Sequence, residues 1–292
     1  MSSLDEFTDD PFFIFYRSRS GSTYLASALM QAASIVIPPE ANFVADIVRK
    51  YRKSAVSNVK ECRALVSLLR RDEKFADWQV DPDVVLDECR GRYPLRKRDF
   101  ILMVCSIYRE RTDPEAKAFG FKKGSYTPLY ESLFSIFPNA KSIGLIRDGR
   151  AVYNSQKSSR HSRTRKPMES SPRRAADAWC ERVALLRRIE AEGRSIRIIH
   201  YEDLLRERQS CIESLCGYLG VSYEGDGKDG KESYAVPERY DGLHDNVKGE
   251  PLLERIDAWK QELPAGELRA FESAARKTLI QEGYVPVSAE KR

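Results

Sequence analysis

Two hydrophobic rhythms run through the chain. Phe12 to Tyr16 is an unbroken apolar run, which predicts a short strand buried on both faces. The polar stretch Arg17-Ser18-Arg19-Ser20-Gly21-Ser22-Thr23 follows, then a helix-patterned segment from Tyr24 to Ala33. Strand, loop and helix in that order open a parallel α/β sheet. Ile35 to Ile37 predicts a second short strand, closed by Pro38-Pro39, with a helix beginning near Glu40. Residues from about 42 to 118 read as mostly helical. Val59, Leu65, Leu68 and Leu69 form part of a stripe there, Asp81-Pro82 starts a further helix, and Phe100 to Tyr108, apolar enough for strand or helix, is read as helix.

A second α/β unit comes next. Leu129, Leu133 and Ile136 share a helix face, Ser142 to Ile146 is a strand, and Arg147-Asp148-Gly149-Arg150 turns into a helix through Ser155. A basic, Ser-rich loop over about 157–174 leads to an amphipathic helix carrying Trp179, Val183, Leu186 and Ile189. Ile196 to His200 is a strand, and the helix after it ends at Gly220, a plausible C-cap. Residues 222–249 read as a loop, and the last helix carries Leu268, Phe271, Ala275 and Leu279. No internal repeat interrupts this order, so one domain over 1–292 is expected.

Composition narrows the function classes. With 41% hydrophobic and 32% charged residues the chain has the material for a globular core. The net charge of +5 suits a small anionic ligand and is too weak to argue for nucleic acid. Six cysteines without a CxxC pair and only three histidines make a zinc framework a poor fit, so free thiols and no metal are expected. The acidic start MSSLDEFTDDPFF is unlike a secretory signal, and no apolar run is long enough to span a membrane. A cytoplasmic protein is expected, a lumenal enzyme trimmed of its anchor being the alternative.

The first loop carries the chemistry. Gly21-Ser22-Thr23 stands where a Walker A loop has Gly-Lys-Ser/Thr, but Ser22 replaces the lysine and Tyr16 the first glycine. Backbone N–H groups at the helix start can still cradle a phosphate, and Gly21 allows close approach. The missing lysine argues against cleavage of ATP or GTP. Arg19, and Arg17 beside it, bring positive charge. Arg147 and Ser155 follow a second strand, and in an open parallel sheet both loops reach the same crevice. The plain alternatives are a serine-rich cap and a salt-bridged turn.

Taken together the loops resemble those of sulfotransferases that use 3′-phosphoadenosine 5′-phosphosulfate (PAPS). Arg19-Ser20-Gly21-Ser22-Thr23-Tyr24-Leu25 resembles the family's 5′-phosphosulfate loop. Ile136-Phe137-Pro138-Asn139-Ala140-Lys141 with Ile146-Arg147-Asp148-Gly149-Arg150-Ala151-Val152 and Ser155 resembles its 3′-phosphate motif. Pro39-Glu40, His200-Tyr201-Glu202-Asp203-Leu204 and Trp259-Lys260 through Gly283-Tyr284 fit the same order, nearest the bacterial, carbohydrate and protein-tyrosine branch. The resemblance implies a P-loop NTPase-like parallel sheet flanked by helices, with the helical region of about 42–118 on the acceptor side. It implies that Arg19, Ser20, Gly21, Ser22, Thr23 and Tyr24 hold the phosphosulfate, Arg147 and Ser155 the 3′-phosphate, and that Tyr201 lies near the adenine. Lys248 would add a contact from the C-terminal loop.

The resemblance also implies the catalytic groups. Glu40 stands at the position of a general base, its alternative being an acidic residue at a helix start. Lys122, 16 residues before Pro138, has the spacing of a transition-state lysine. The usual Lys-Thr-Pro is here Lys122-Lys123-Gly124, which leaves Lys123 as an alternative. Arg19 and the lysine would stabilise charge developing on the transferred group. The product is 3′-phosphoadenosine 5′-phosphate (PAP), and the acceptor hydroxyl sits on a carbohydrate, peptide tyrosine, lipid or small metabolite. Trp78, Tyr93 and Tyr108 line the acceptor pocket or simply pack the core. The basic run Lys157, Arg160, His161, Arg163, Arg165, Lys166, Arg173 and Arg174 steers an anionic acceptor or is a solvated loop. A degenerate P-loop kinase or other NTPase and a non-catalytic nucleotide-fold binding module are the competing readings.

Overall fold

The structure, a computed structural model, describes residues 9–160, 166–225, 234 and 253–287. Strand β1 (Phe12–Tyr16) is buried at every position. Its side chains alternate between two cores: Phe13 and Phe15 face one, Phe12, Ile14 and Tyr16 the other. That is why the run is apolar without a polar face. Helix α1 (Ser22–Ala32) packs in the second core, followed by the two-residue β2 (Ile35–Val36).

The region after residue 42 holds α2 (Phe43–Lys50), β3 (Ala55–Val56), α3 (Val59–Arg71), α4 (Pro82–Glu88), β4 (Leu95–Arg96) and α5 (Lys97–Thr112). Phe100 to Tyr108 lies inside α5, so helix was the right choice for it. The small antiparallel pair of β3 and β4 was not anticipated. Nor was β5 (Ala118–Lys122), a short AFGFK segment beside a long helical reading. Its pairing is tertiary: it lies between β1 and β2 and is parallel to both.

Then come α6 (Tyr130–Ile136), β6 (Ser142–Ile146), α7 (Gly149–Ser158), α8 (Pro172–Ala191), β7 (Ile196–His200), α9 (Tyr201–Arg206) and α10 (Arg208–Leu219). Short helices α11 (Glu254–Asp257) and α12 (Trp259–Glu262) precede α13 (Ala265–Gln281). The five-stranded sheet has the order β2-β5-β1-β6-β7 and every pairing in it is parallel. All C-terminal strand ends therefore lie along one edge, and the loops after β1, β2, β5, β6 and β7 meet there.

Burial separates the two arginines of the Arg147-Asp148-Gly149-Arg150 turn. Arg150 is 3% exposed; its Nη2 lies 2.7 Å from Asp148 Oδ2, its Nη1 lies 2.6 Å from Glu272 Oε1, and its guanidinium stacks 3.9 Å over Trp259. This half of the motif is the salt-bridged turn, and it ties α7 to α12 and α13. Trp78 and Tyr108 pack an aromatic cluster with Phe43, Phe119 and Phe121. All six cysteines are free thiols, four of them buried. No helix among the described residues is long and apolar enough to cross a membrane.

Candidate active site

The loop between β1 and α1 is held in an uncommon backbone form. Arg19 has φ 76° and Gly21 φ 88°, both left-handed. A side chain at Gly21 has no room, since a Cβ there would lie 2.2 Å from Tyr201 Cε2. Arg19 carries the cost of its own conformation because both ends are held. Its Nε donates to Ser155 Oγ at 3.0 Å, and its carbonyl accepts from Arg147 Nη1 at 3.2 Å. The two loops recognised in the sequence thus touch directly.

Around this junction positive charge accumulates. Arg147 Nη2 donates to the Arg255 carbonyl at 3.0 Å, which brings α11 to the site. The Arg147 guanidinium lies 4.6 Å over the Tyr201 ring, and Tyr201 meets Tyr24 edge-on. Burial pushes the Arg19 guanidinium below its ordinary pKa, and the like charges of Arg147 and Arg255 push it further. Arg147 Nε is buried without a hydrogen-bond partner. The first-turn N–H groups of α1, which have no intrahelical partner, open beside these cations.

A second charge centre lies after β5 and β2. Glu40 Oε1 accepts from Tyr16 OH at 2.7 Å and from Lys122 Nζ at 3.2 Å. Its Oε2 faces Lys74 Nζ at 3.5 Å and Lys123 Nζ at 3.7 Å. One carboxylate is thus surrounded by three ammonium groups. Burial works to raise the Glu40 pKa, but Lys122, Lys123, Lys74 and the Tyr16 hydrogen bond together hold it far below the carboxylate range. Burial lowers Lys122 and Lys123, the latter to about 8, with Glu40 opposing.

The Glu40 backbone is clamped on both sides. Trp78 Nε1 donates to the Pro39 carbonyl at 2.8 Å, and Tyr126 OH donates to the Ala41 carbonyl at 2.8 Å. Asp72 accepts from the backbone N–H groups of Asn42 and Phe43, so the helix begins at Phe43, not at Glu40. Glu40 is therefore a pinned loop residue at the sheet edge. Lys122 links the two centres: its Nζ is also 3.3 Å from Thr23 Oγ1 on α1.

A model of the Sulfotransferase family matches residues 11–225. The chain belongs to the sulfotransferase family. Solved structures similar to this sulfotransferase include the sulfotransferase domain from the curacin biosynthetic pathway, at 20% identity over 95% of this chain and 98% of that one, with TM-score 0.61. The sulfotransferase domain of the Synechococcus PCC 7002 olefin synthase is 18% identical over 92% of this chain and 94% of that one, with TM-score 0.59. These neighbours share the P-loop NTPase-like fold. No curated protein matches the chain.

The fold of this sulfotransferase brings Arg19, Gly21, Tyr24, Arg147, Ser155 and Tyr201 into one group, and Thr23, Lys122 and Glu40 into the adjoining one. Ser20 in the loop and Ser22 at the start of α1 are buried. Arg17 directly follows β1 at the start of the same loop. Its Nε is buried without a hydrogen-bond partner, and its charge acts on Arg182 of α8. Lys248 lies outside the described residues, as do His161, Arg163 and Arg165 of the basic run and most of 222–249. Sequence reasoning missed Tyr16, Lys74, Arg182 and Arg255. Only Arg255 left a signal, a basic residue just before the Trp259 segment. Among the described residues no cluster of His, Cys, Asp and Glu could hold a metal ion.

Proposed function

We propose that this sulfotransferase takes its sulfuryl group from PAPS and delivers it to an acceptor hydroxyl, with Glu40 as general base. One observation carries the reading: Lys122 Nζ lies 3.2 Å from Glu40 Oε1 and 3.3 Å from Thr23 Oγ1, so a single ammonium joins the base to the phosphate loop. The donor fits the residues present. Arg19, Arg147 and Arg255 are like charges held together, Arg147 Nε has no partner, and a polyanion relieves both conditions. Arg147 and Ser155 would hold the 3′-phosphate, while Arg19, Lys122 and the α1 amides would hold the phosphosulfate.

When bound, PAPS supplies the sulfuryl group, its sulfur–oxygen bond to the 5′-phosphate breaking as the acceptor oxygen bonds to sulfur. Glu40 Oε1 takes the hydroxyl proton. In the free protein Glu40 is a weak base because Lys122 is on it. An anion at Thr23 competes for that ammonium, and Glu40 becomes more basic as the ammonium turns toward the loop. Lys122 also balances the charge that develops on the leaving oxygen. Lys123 touches Glu40 alone of these groups, which favours Lys122 for that role.

The test is incubation with sulfur-labelled PAPS and a panel of hydroxyl acceptors, read as a mass gain of one sulfuryl group. A parallel thermal titration compares PAP with ATP. Stabilisation by ATP but not by PAP refutes the reading.

A further inference from the structure

Arg17 and Arg182 are not used by the chemistry above, yet their placement is costly. Arg17 directly follows β1, and Arg182 comes from the middle of α8. Each is half-buried. Arg17 Nε is fully buried and makes no hydrogen bond. Arg182 Nη1 donates to the Gly124 carbonyl at 3.1 Å, a neutral acceptor. Among the described residues neither guanidinium forms an ion pair with a carboxylate. Glu169 acts on Arg17 from beyond ion-pair distance, while its Oε1 is engaged by the N–H groups of Ser170 and Ser171 and by Arg174. Glu181 acts on both from an exposed position. Burial lowers both guanidinium pKa values, Arg182 to about 10, and the charge of Arg17 adds to the effect on Arg182. A Cβ on Gly124, whose carbonyl Arg182 holds, would lie 3.3 Å from the carbonyl of Tyr16, the residue before Arg17, so two partly desolvated like charges share one neighbourhood. An oxyanion stabilises such an arrangement, and arginine forks suit its geometry.

The pair adjoins the reacting side of the site. Gly124, which Arg182 grips, directly follows Lys123, whose ammonium is 3.7 Å from Glu40 Oε2. Consecutive α-carbons are about 3.8 Å apart. A Cβ on Gly124 would lie 3.5 Å from the Tyr16 ring, and that same tyrosine hydrogen-bonds Glu40. The phosphosulfate contacts proposed above, by contrast, involve Arg19, Thr23 and Lys122.

We propose that Arg17 and Arg182 form an oxyanion subsite on the acceptor side of Glu40, so that the hydroxyl this enzyme modifies belongs to a molecule that also carries a carboxylate or phosphate group. The assignment of the subsite to the acceptor rests on the sulfuryl-transfer reading; the subsite itself does not. Lys123 adds charge of the same sign next to it, and the anionic group orients the hydroxyl toward Glu40.

The experiment uses the full chain, saturated with PAP, titrated with inorganic phosphate and separately with acetate, and followed by thermal shift. Phosphate or acetate further stabilises the PAP-bound protein, and whichever acts at lower concentration names the group. Arg17→Gln and Arg182→Gln each raise that midpoint by about tenfold or more, Arg182→Gln leaves the PAP midpoint unchanged, and Arg182→Lys falls between. The proposal is overturned if neither anion stabilises the PAP-bound protein, or if Arg182→Gln weakens PAP as much as Arg147→Gln does. If wild-type protein fails to bind PAP, the donor reading fails. The same anion titration of Arg147→Gln protein without PAP, with and without Arg182→Gln, then decides the subsite by itself: unchanged midpoints overturn it.

Discussion

Replacing Lys123 by methionine should stabilise the protein at neutral pH. Its side chain is 8% exposed, and its ammonium shares one carboxylate with those of Lys122 and Lys74. Burial lowers its pKa from 10.5 to about 8, the attraction of Glu40 only partly opposing. A lysine depressed in the fold is a cost to the fold below pH 8, where it is charged in both states. Between about 8 and 10.5 the unfolded chain binds more protons, so stability rises with pH and the cost disappears. The 2.5-unit difference between those two values corresponds to about 3 kcal/mol as an upper bound. Methionine fills nearly the same volume without charge, so Lys123→Met should recover up to that amount at pH 7. At about 2 °C per kcal/mol for a domain of this size the melting temperature should rise by about 6 °C. Calorimetric melts of both proteins at pH 7, 9 and 10.5 check this. The gain should shrink at pH 9 and be near zero at pH 10.5. A lower melting temperature at pH 7, or a gain independent of pH, refutes the reasoning.

Glu40→Gln should lower kcat about 10²- to 10⁴-fold while leaving PAP affinity in place; retained turnover would remove Glu40 as the base. Gly21→Ala should fold yet bind PAP poorly, because its Cβ would meet Tyr201 at 2.2 Å and the φ of 88° disfavours any side chain; a PAP titration equal to wild type would contradict this. Arg150→Met should destabilise by about 3–5 kcal/mol in denaturant unfolding, since Asp148 and Glu272 remain buried without their cation. A loss below about 1 kcal/mol would mean the triad contributes little beyond what a packed apolar group supplies.

Local pattern was enough for the elements that hold the phosphate loop. Phe12 to Tyr16 is apolar at every position because both sheet faces are covered. Gly21 had to be small because the helix starts there in a left-handed turn, and Gly220 closes α10 in the same way. Arg147 and Ser155 were legible because a strand–turn–helix unit repeats the same placement after β6. In β5, by contrast, AFGFK sets small Ala118 and Gly120 between its two phenylalanines and has no continuous apolar run, and its place between β1 and β2 makes it a strand. That pairing in turn brings Lys122 to Thr23 and Glu40, residues 99 and 82 positions away. Lys74 and Arg182 looked like any solvated basic residue. Whether an arginine neutralises Asp148 and Glu272, as Arg150 does, or keeps a buried Nε without a hydrogen-bond partner, as Arg17 does, depends on what the fold lays against it. Charge type is written in the chain, but desolvation and neighbours arise only when distant segments meet at one sheet edge.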